Sequence, residues 1–117
     1  MESHSPPRLM RSADLIFTPR FEYGDQAQVA SLCGADDGTR LGAGLVRLSG
    51  ASIPWTIKYD ELIYVLEGTF TVQTDESSLS AQAGDSIWLP AGTRLTYQSD
   101  KALLFYAIYP ADWATGE

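Results

Sequence analysis

Tyr59-Asp60-Glu61 sets a phenol beside two carboxylates, with Trp55 and Lys58 just ahead of them in the stretch PWTIKYDELIYVLEG, residues 54–68. Glu61 opens the apolar run Leu62 to Glu67, and strand alternation puts it on the same face as Ile63 and Val65. A carboxylate held among apolar side chains is the usual route to a general acid or base that works near neutral pH. Tyr59 or Asp60 beside it would widen the site into a polar cluster able to hold a small organic ammonium, and Trp55 would add a cation–π face. Glu61 and Tyr59 are therefore the candidate catalytic residues, and Trp55, Asp60, Lys58 and Tyr97 the candidate ligand-binding residues. A purely structural role competes with this: Glu61 accepting a hydrogen bond from the Tyr59 or Tyr97 hydroxyl, and Asp60 serving a turn. Lys58, Arg47 and Arg94 are the basic residues near these positions. Any phosphate chemistry would rely on them, because no G-x-x-x-x-G-K-[ST] loop is present to cradle phosphates.

The elements that must position these residues are short strands. Leu15-Ile16-Phe17 is an apolar run stopped by Pro19, read as a first edge strand. Gln28 to Cys33 alternates and ends at Gly34, and Asp36-Asp37-Gly38 is a turn signal. Leu41 to Leu48 is a strand loosened by Gly42 and Gly44, and Gly50 begins a turn into the central stretch. Leu62 to Glu67 closes on Gly68, and Thr69 to Thr74 has a clean period of two. Leu79 to Ala83, Ser86 to Leu89, Leu95 to Gln98 and Leu103 to Tyr109 complete the set, with turns at Gly84-Asp85 and Pro90-Ala91-Gly92. Helical periodicity is sustained nowhere, and turn signals recur throughout, so the chain reads as all-β, a sandwich or barrel. Pro110 stops the last strand and leaves a polar end containing Trp113.

The 117 residues suffice for one domain with a single core. We divide them into a flexible N-terminal arm at 1–13, one domain at 14–113 and a C-terminal tail at 114–117; the single histidine, His4, sits in the arm as an incidental residue. Net charge is −7, from 15 acidic and 8 basic residues, which argues against nucleic-acid and anionic-membrane partners. Cys33 is the only cysteine, so no intramolecular disulfide forms; it reads as a small apolar strand residue suited to a reducing compartment. No run reaches the roughly 18 apolar residues of a membrane span, and the N-terminus lacks a signal peptide's apolar region. A cytoplasmic location is the expectation.

Two glycine-proline frames carry a resemblance. Glu61 is followed after six residues by Gly68, and Gly84 is followed after five by Pro90-Ala91-Gly92. Both frames, in order and joined by a short hairpin, resemble the two motifs of the cupin superfamily over roughly residues 40 to 110. The resemblance implies a small antiparallel jelly-roll barrel in which Glu61 points inward, with its pKa raised by the apolar interior; Tyr97, sharing the face of Leu95, would look inward too. Of the four metal ligands in the cupin pattern only Glu61 remains. The histidine positions fall at Trp55 and Ile57, or at Pro54 and Thr56, and at Leu95; Ser99 takes the asparagine position. A transition metal wants about three or more nitrogen, sulfur or carboxylate donors, so a metal-dependent reading is rejected and no cofactor is expected. Weak Mg²⁺ binding through Glu61, Asp60, Tyr59 and waters stays open.

The runs Pro54-Trp55-Thr56, Tyr59-Asp60-Glu61, VLEG at 65–68, AGD at 83–85, LPAG at 89–92 and Tyr109-Pro110-Ala111-Asp112-Trp113 are similar to the C-terminal domain of EutQ-type ethanolamine-utilisation proteins. This likeness implies a compact cupin, commonly a homodimer, linked to ethanolamine breakdown, with acetate kinase activity attributed to some members. The expected function is a small-molecule site in the barrel without the His-based metal centre, able to hold a small cation such as an ethanolamine-like ammonium and linked to ethanolamine utilisation. The alternatives are a non-catalytic binding or assembly subunit and acetate kinase-like phosphotransfer.

Overall fold

The structure, a computed structural model, describes residues 6–115; His4 lies outside the described residues. Seven strands form it: β1 (Thr18–Pro19), β2 (Ala27–Cys33), β3 (Gly42–Thr56), β4 (Asp60–Thr74), β5 (Ser78–Gln82), β6 (Ser86–Leu89) and β7 (Arg94–Tyr109). All pairings are antiparallel, in the order β1-β2-β3-β7-β4-β5, and β6 pairs with the first half of β4. The all-β antiparallel expectation holds, with one refinement: among the described residues no pairing joins β5 back to β1, so the sheet is not closed into a barrel by hydrogen bonds. Its inner face is joined by side chains instead, through a core containing the fully buried Ile57, Ile63, Val65, Phe70 and Val72.

Three strands are longer than the local signals suggest. Gly50 reads as the start of a turn, Gly68 as a strand end, and Leu95–Gln98 and Leu103–Tyr109 as separate strands, yet the chain runs on through each of these points without turning back. In β4 the inward residues are Glu61, Ile63 and Val65 before Gly68 and Phe70 and Val72 after it. In β7 they change likewise from Leu95 to Ala102 and Leu104. An extra residue shifts the period of two by one, which is what a β-bulge does. In the β3–β7 ladder Ser49 pairs with Lys101 and Ala51 with Ser99, so Gly50 and Asp100 are skipped together. Gly50 has φ of 53° and Gly68 of 81°, a left-handed backbone favoured by glycine in bulges and turns alike.

The first edge strand is also displaced. Leu15–Phe17 do not pair; Ser12–Asp14 is a 3₁₀ turn and β1 is Thr18–Pro19, opposite Val29 and Gln28. Phe17 lies under the Arg47 guanidinium, 4.1 Å from its ring centre. Within the stretch read as an arm, Arg8 pairs with Asp37 at 2.9 Å and donates to the Leu32 carbonyl at 2.7 Å. Among the described residues no helix is long and apolar enough to cross a membrane.

Candidate functional site

The loop between β3 and β4 is fastened to the turn before β7. The Ile57 N–H donates to the Thr93 carbonyl at 3.1 Å, and the Gly92 N–H to the Ile57 carbonyl at 2.8 Å. Asp60 Oδ1 accepts from the Ala91 N–H at 2.9 Å. These bonds drive Ile57 and Tyr59 into the core and leave Lys58 and Asp60 exposed between and after them. Asp60 thus performs the turn role, and neither it nor Lys58 reaches the interior.

Glu61 follows at the start of β4, 7% exposed, and it is the buried charged residue of the core. The Tyr97 hydroxyl donates to Glu61 Oε1 at 2.7 Å, and Trp55 Nε1 donates to the Tyr59 hydroxyl at 3.3 Å. Tyr97 is held by stacking on Phe70, with ring centres 5.8 Å apart. A cavity of about 110 Å³ lies among these groups. Four of the six expected site residues line it: Trp55, Tyr59, Glu61 and Tyr97.

Desolvation decides the electrostatics. Burial pushes the Glu61 carboxyl up to about 7, although the Tyr97 hydrogen bond and the Arg20 guanidinium pull it down. Burial and then the charge of Glu61 hold the Tyr97 hydroxyl well above the usual phenol range, so it remains a proton donor; the same two causes raise Tyr59. At neutral pH, Glu61 therefore passes between carboxylate and carboxylic acid, with a fixed donor on one oxygen.

Arg20, Tyr23, Tyr106 and Trp113 also line the cavity. Tyr106 was legible as a β7 residue sharing the face of Leu104 and Ile108. Arg20 lies far from the motifs in a segment without strand pattern, and no sequence signal marks it; Trp113 ends the Tyr109–Trp113 run that carries the family likeness, but nothing in that run places it beside Glu61. Arg47 and Arg94, the other basic candidates, are exposed; Arg94 pairs with Asp75 at 3.9 Å.

The donor set does not fit the cupin metal. Trp55 and Ile57, or Pro54 and Thr56, stand at the first two histidine positions and Leu95 at the third, with Ile57 and Leu95 packed in the core. Among the described residues no three His, Cys, Asp or Glu side chains gather to hold an ion.

Comparison with known proteins agrees with this architecture. The family model for the ethanolamine utilisation protein EutQ matches residues 18–115. An "Acetate kinase EutQ" of Clostridioides difficile is 33% identical over 82% of this chain and 64% of its own length. One of Escherichia coli is 34% identical over 73% of this chain and 37% of its own length. The chain thus spans less than two thirds of these relatives. The crystal structure of an ethanolamine utilization protein Q from Salmonella typhimurium superposes with a TM-score of 0.81 at 26% identity, covering 88% of this chain and 85% of that one. The C. difficile EutQ structure gives 0.71 at 32% identity, covering 78% and 67%. An RmlC-like cupin from Shewanella frigidimarina, 17% identical with a TM-score of 0.73 over 91% of this chain and 93% of that one, shares the fold.

Proposed function

This chain belongs to the EutQ family, and from that premise we propose that its cavity binds a small organic ammonium, ethanolamine-like in size and charge, at Glu61 and without a metal. The observation that carries this reading is a buried glutamate, hydrogen-bonded to Tyr97, facing a cavity lined with aromatic rings. An apolar cavity of about 150 Å³ takes benzene with its six ring carbons, so one of about 110 Å³ suits a molecule of roughly four non-hydrogen atoms. Ethanolamine has that size. Its ammonium would pair with ionised Glu61 and rest against Trp55, while Tyr59 offers a hydroxyl to its polar end. With a pKa of about 7, Glu61 is also suited to exchange a proton with the ligand, Tyr59 being the second catalytic candidate. The link to ethanolamine utilisation and a cytoplasmic place of action belong to the same reading.

A second reading is favoured by Arg20 in the cavity wall and by the relatives named acetate kinase. Acetate also has four non-hydrogen atoms. It would pair with Arg20 and accept a hydrogen bond from protonated Glu61, while a nucleotide, far larger than the cavity, would stay outside.

Calorimetric titration across pH 5.5–8.5 separates the two. An ammonium needs the carboxylate, so ethanolamine affinity should rise with pH through about 7 and be lost in Glu61→Gln. Acetate affinity should fall over the same interval. Ethanolamine binding indifferent to pH and unchanged in Glu61→Gln would remove Glu61 from the site. Turnover of acetate and ATP with Mg²⁺ present would establish the phosphotransfer reading; its absence removes it.

The family likeness also supports a homodimer. The outer face of β4 carries Leu62, Tyr64 and Leu66, each 40% or more exposed, and Trp88 of β6 lies opposite Leu62 at 58% exposed. A second copy packed there would cover them.

A further inference from the structure

The geometry points to Trp113 as the residue that sets the size limit of the ligand, held in place by a clasp on Arg40. This rests on the cavity being a binding site, and it concerns a part of the chain outside both cupin motifs. Most of the lining comes from strands, whose positions are locked by their ladders. Arg20, Tyr23 and Trp113 come from segments beyond the sheet, and all three are half-buried parts of the lining that no strand ladder holds. Trp113 meets Trp55 edge to face, with ring centres 5.7 Å apart at 77°, and Tyr59 at 5.3 Å and 55°. Three rings at steep angles make adjoining walls of one corner, and Glu61 lies in the same cavity. Such a corner matches a compact cation, which an exposed ring face attracts.

The segment that carries Trp113 has no ladder of its own. After β7 it is anchored through Arg40: the Ala111 N–H donates to the Arg40 carbonyl at 2.6 Å, the Arg40 Nε lies 3.7 Å from Asp112 Oδ1, and the Arg40 guanidinium covers the Tyr109 ring at 5.2 Å. The Arg40 side chain is outside the cavity and half exposed, so it acts on the ligand only by positioning Trp113. Discrimination among ammonium ligands by size should therefore depend on Trp113 directly and on Arg40 at one remove.

The test compares wild type, Trp113→Ala, Trp113→Phe and Arg40→Ala, with folding checked by circular dichroism. Calorimetry with ethanolamine and choline reads discrimination. Wild type should favour ethanolamine by about tenfold or more, a preference that shrinks to about threefold or less in Trp113→Ala, recovers in Trp113→Phe and is reduced in Arg40→Ala. A second readout is independent of ligand chemistry: perturbation of the Ile63 methyl signals by benzene and by xenon. Wild type should admit xenon and exclude benzene, while Trp113→Ala admits both. Entry of benzene into Trp113→Ala alone, with neither amine bound, would sustain the size limit and defeat the ammonium reading. Benzene entering wild type as readily as the variant, or a discrimination ratio unmoved by Trp113→Ala, would overturn the inference.

Discussion

Burial penalises the charge of Glu61, and the sign of that penalty makes a stability prediction. Its folded pKa is raised from 4.5 to about 7, so the folded protein holds a proton that the unfolded chain would release between those values. A raised carboxyl contributes stability in its protonated form: the contribution is full below the unfolded pKa and is lost as pH rises through the folded one. The cost of ionising Glu61 in place is about 3 kcal/mol, from roughly 1.4 kcal/mol per pKa unit. Glu61→Gln keeps an acceptor for the Tyr97 hydroxyl and removes the charge. Urea denaturation at pH 4.5, 6, 7 and 8 should show the variant gaining on wild type by up to about 3 kcal/mol at pH 8 and matching it near pH 4.5. A constant difference across that range would mean that Glu61 is not buried as described. A residue whose ionisation destabilises the fold is of the kind found where chemistry or binding compensates the cost.

The long strands run on through left-handed glycines, in register at Gly50 and beside the β4–β7 register shifts at Gly68, and the two glycines are needed for different reasons. A Cβ on Gly68 would fall onto the Lys101 carbonyl oxygen of β7, whereas a Cβ on Gly50 would meet nothing. Both have positive φ, so alanine at either pays the left-handed strain, but only Gly68 adds a clash with backbone that cannot move without breaking the ladder. Gly50→Ala should cost about 1 kcal/mol from φ alone. Gly68→Ala should cost about 3 kcal/mol or more. Equal losses in thermal denaturation would show that the close approach of β4 and β7 is not as described. The bulges also explain how the site is reached. They change which residues face inward, so Tyr97, before the β7 bulge, and Tyr106, after it, line one cavity although their positions differ in parity.

Taken whole, the molecule has a mostly apolar pocket around one buried carboxyl inside and an apolar stripe outside, and the stripe makes its own prediction. Leu62 lies opposite Trp88, Tyr64 opposite Phe105, and Phe105 opposite Leu45, so the outer face runs across four strands with little charge. Sedimentation at micromolar concentrations should give a dimer that tightens with salt, since each copy carries −7, and Trp88→Glu should dissociate it. A wild-type monomer would refute the self-association. How much was readable in advance follows the range of the interactions concerned. Alternation over Glu61, Ile63 and Val65, the two glycine-proline frames and the loss of the histidines are local in the chain, and they suffice for the all-β cupin fold, for Glu61 as an inward carboxylate and for the misfit of a metal. A left-handed glycine looks alike in a turn and in a bulge, so the sequence alone could not say that β3, β4 and β7 run on through theirs. Nor could it bring Arg20 and Trp113 to Glu61, for those three meet only because β7 pairs along its length with both β3 and β4 and the terminal segments close over the result. The composition of the pocket was decided by that long-range pairing, and its acidity by how completely the pairing excludes water.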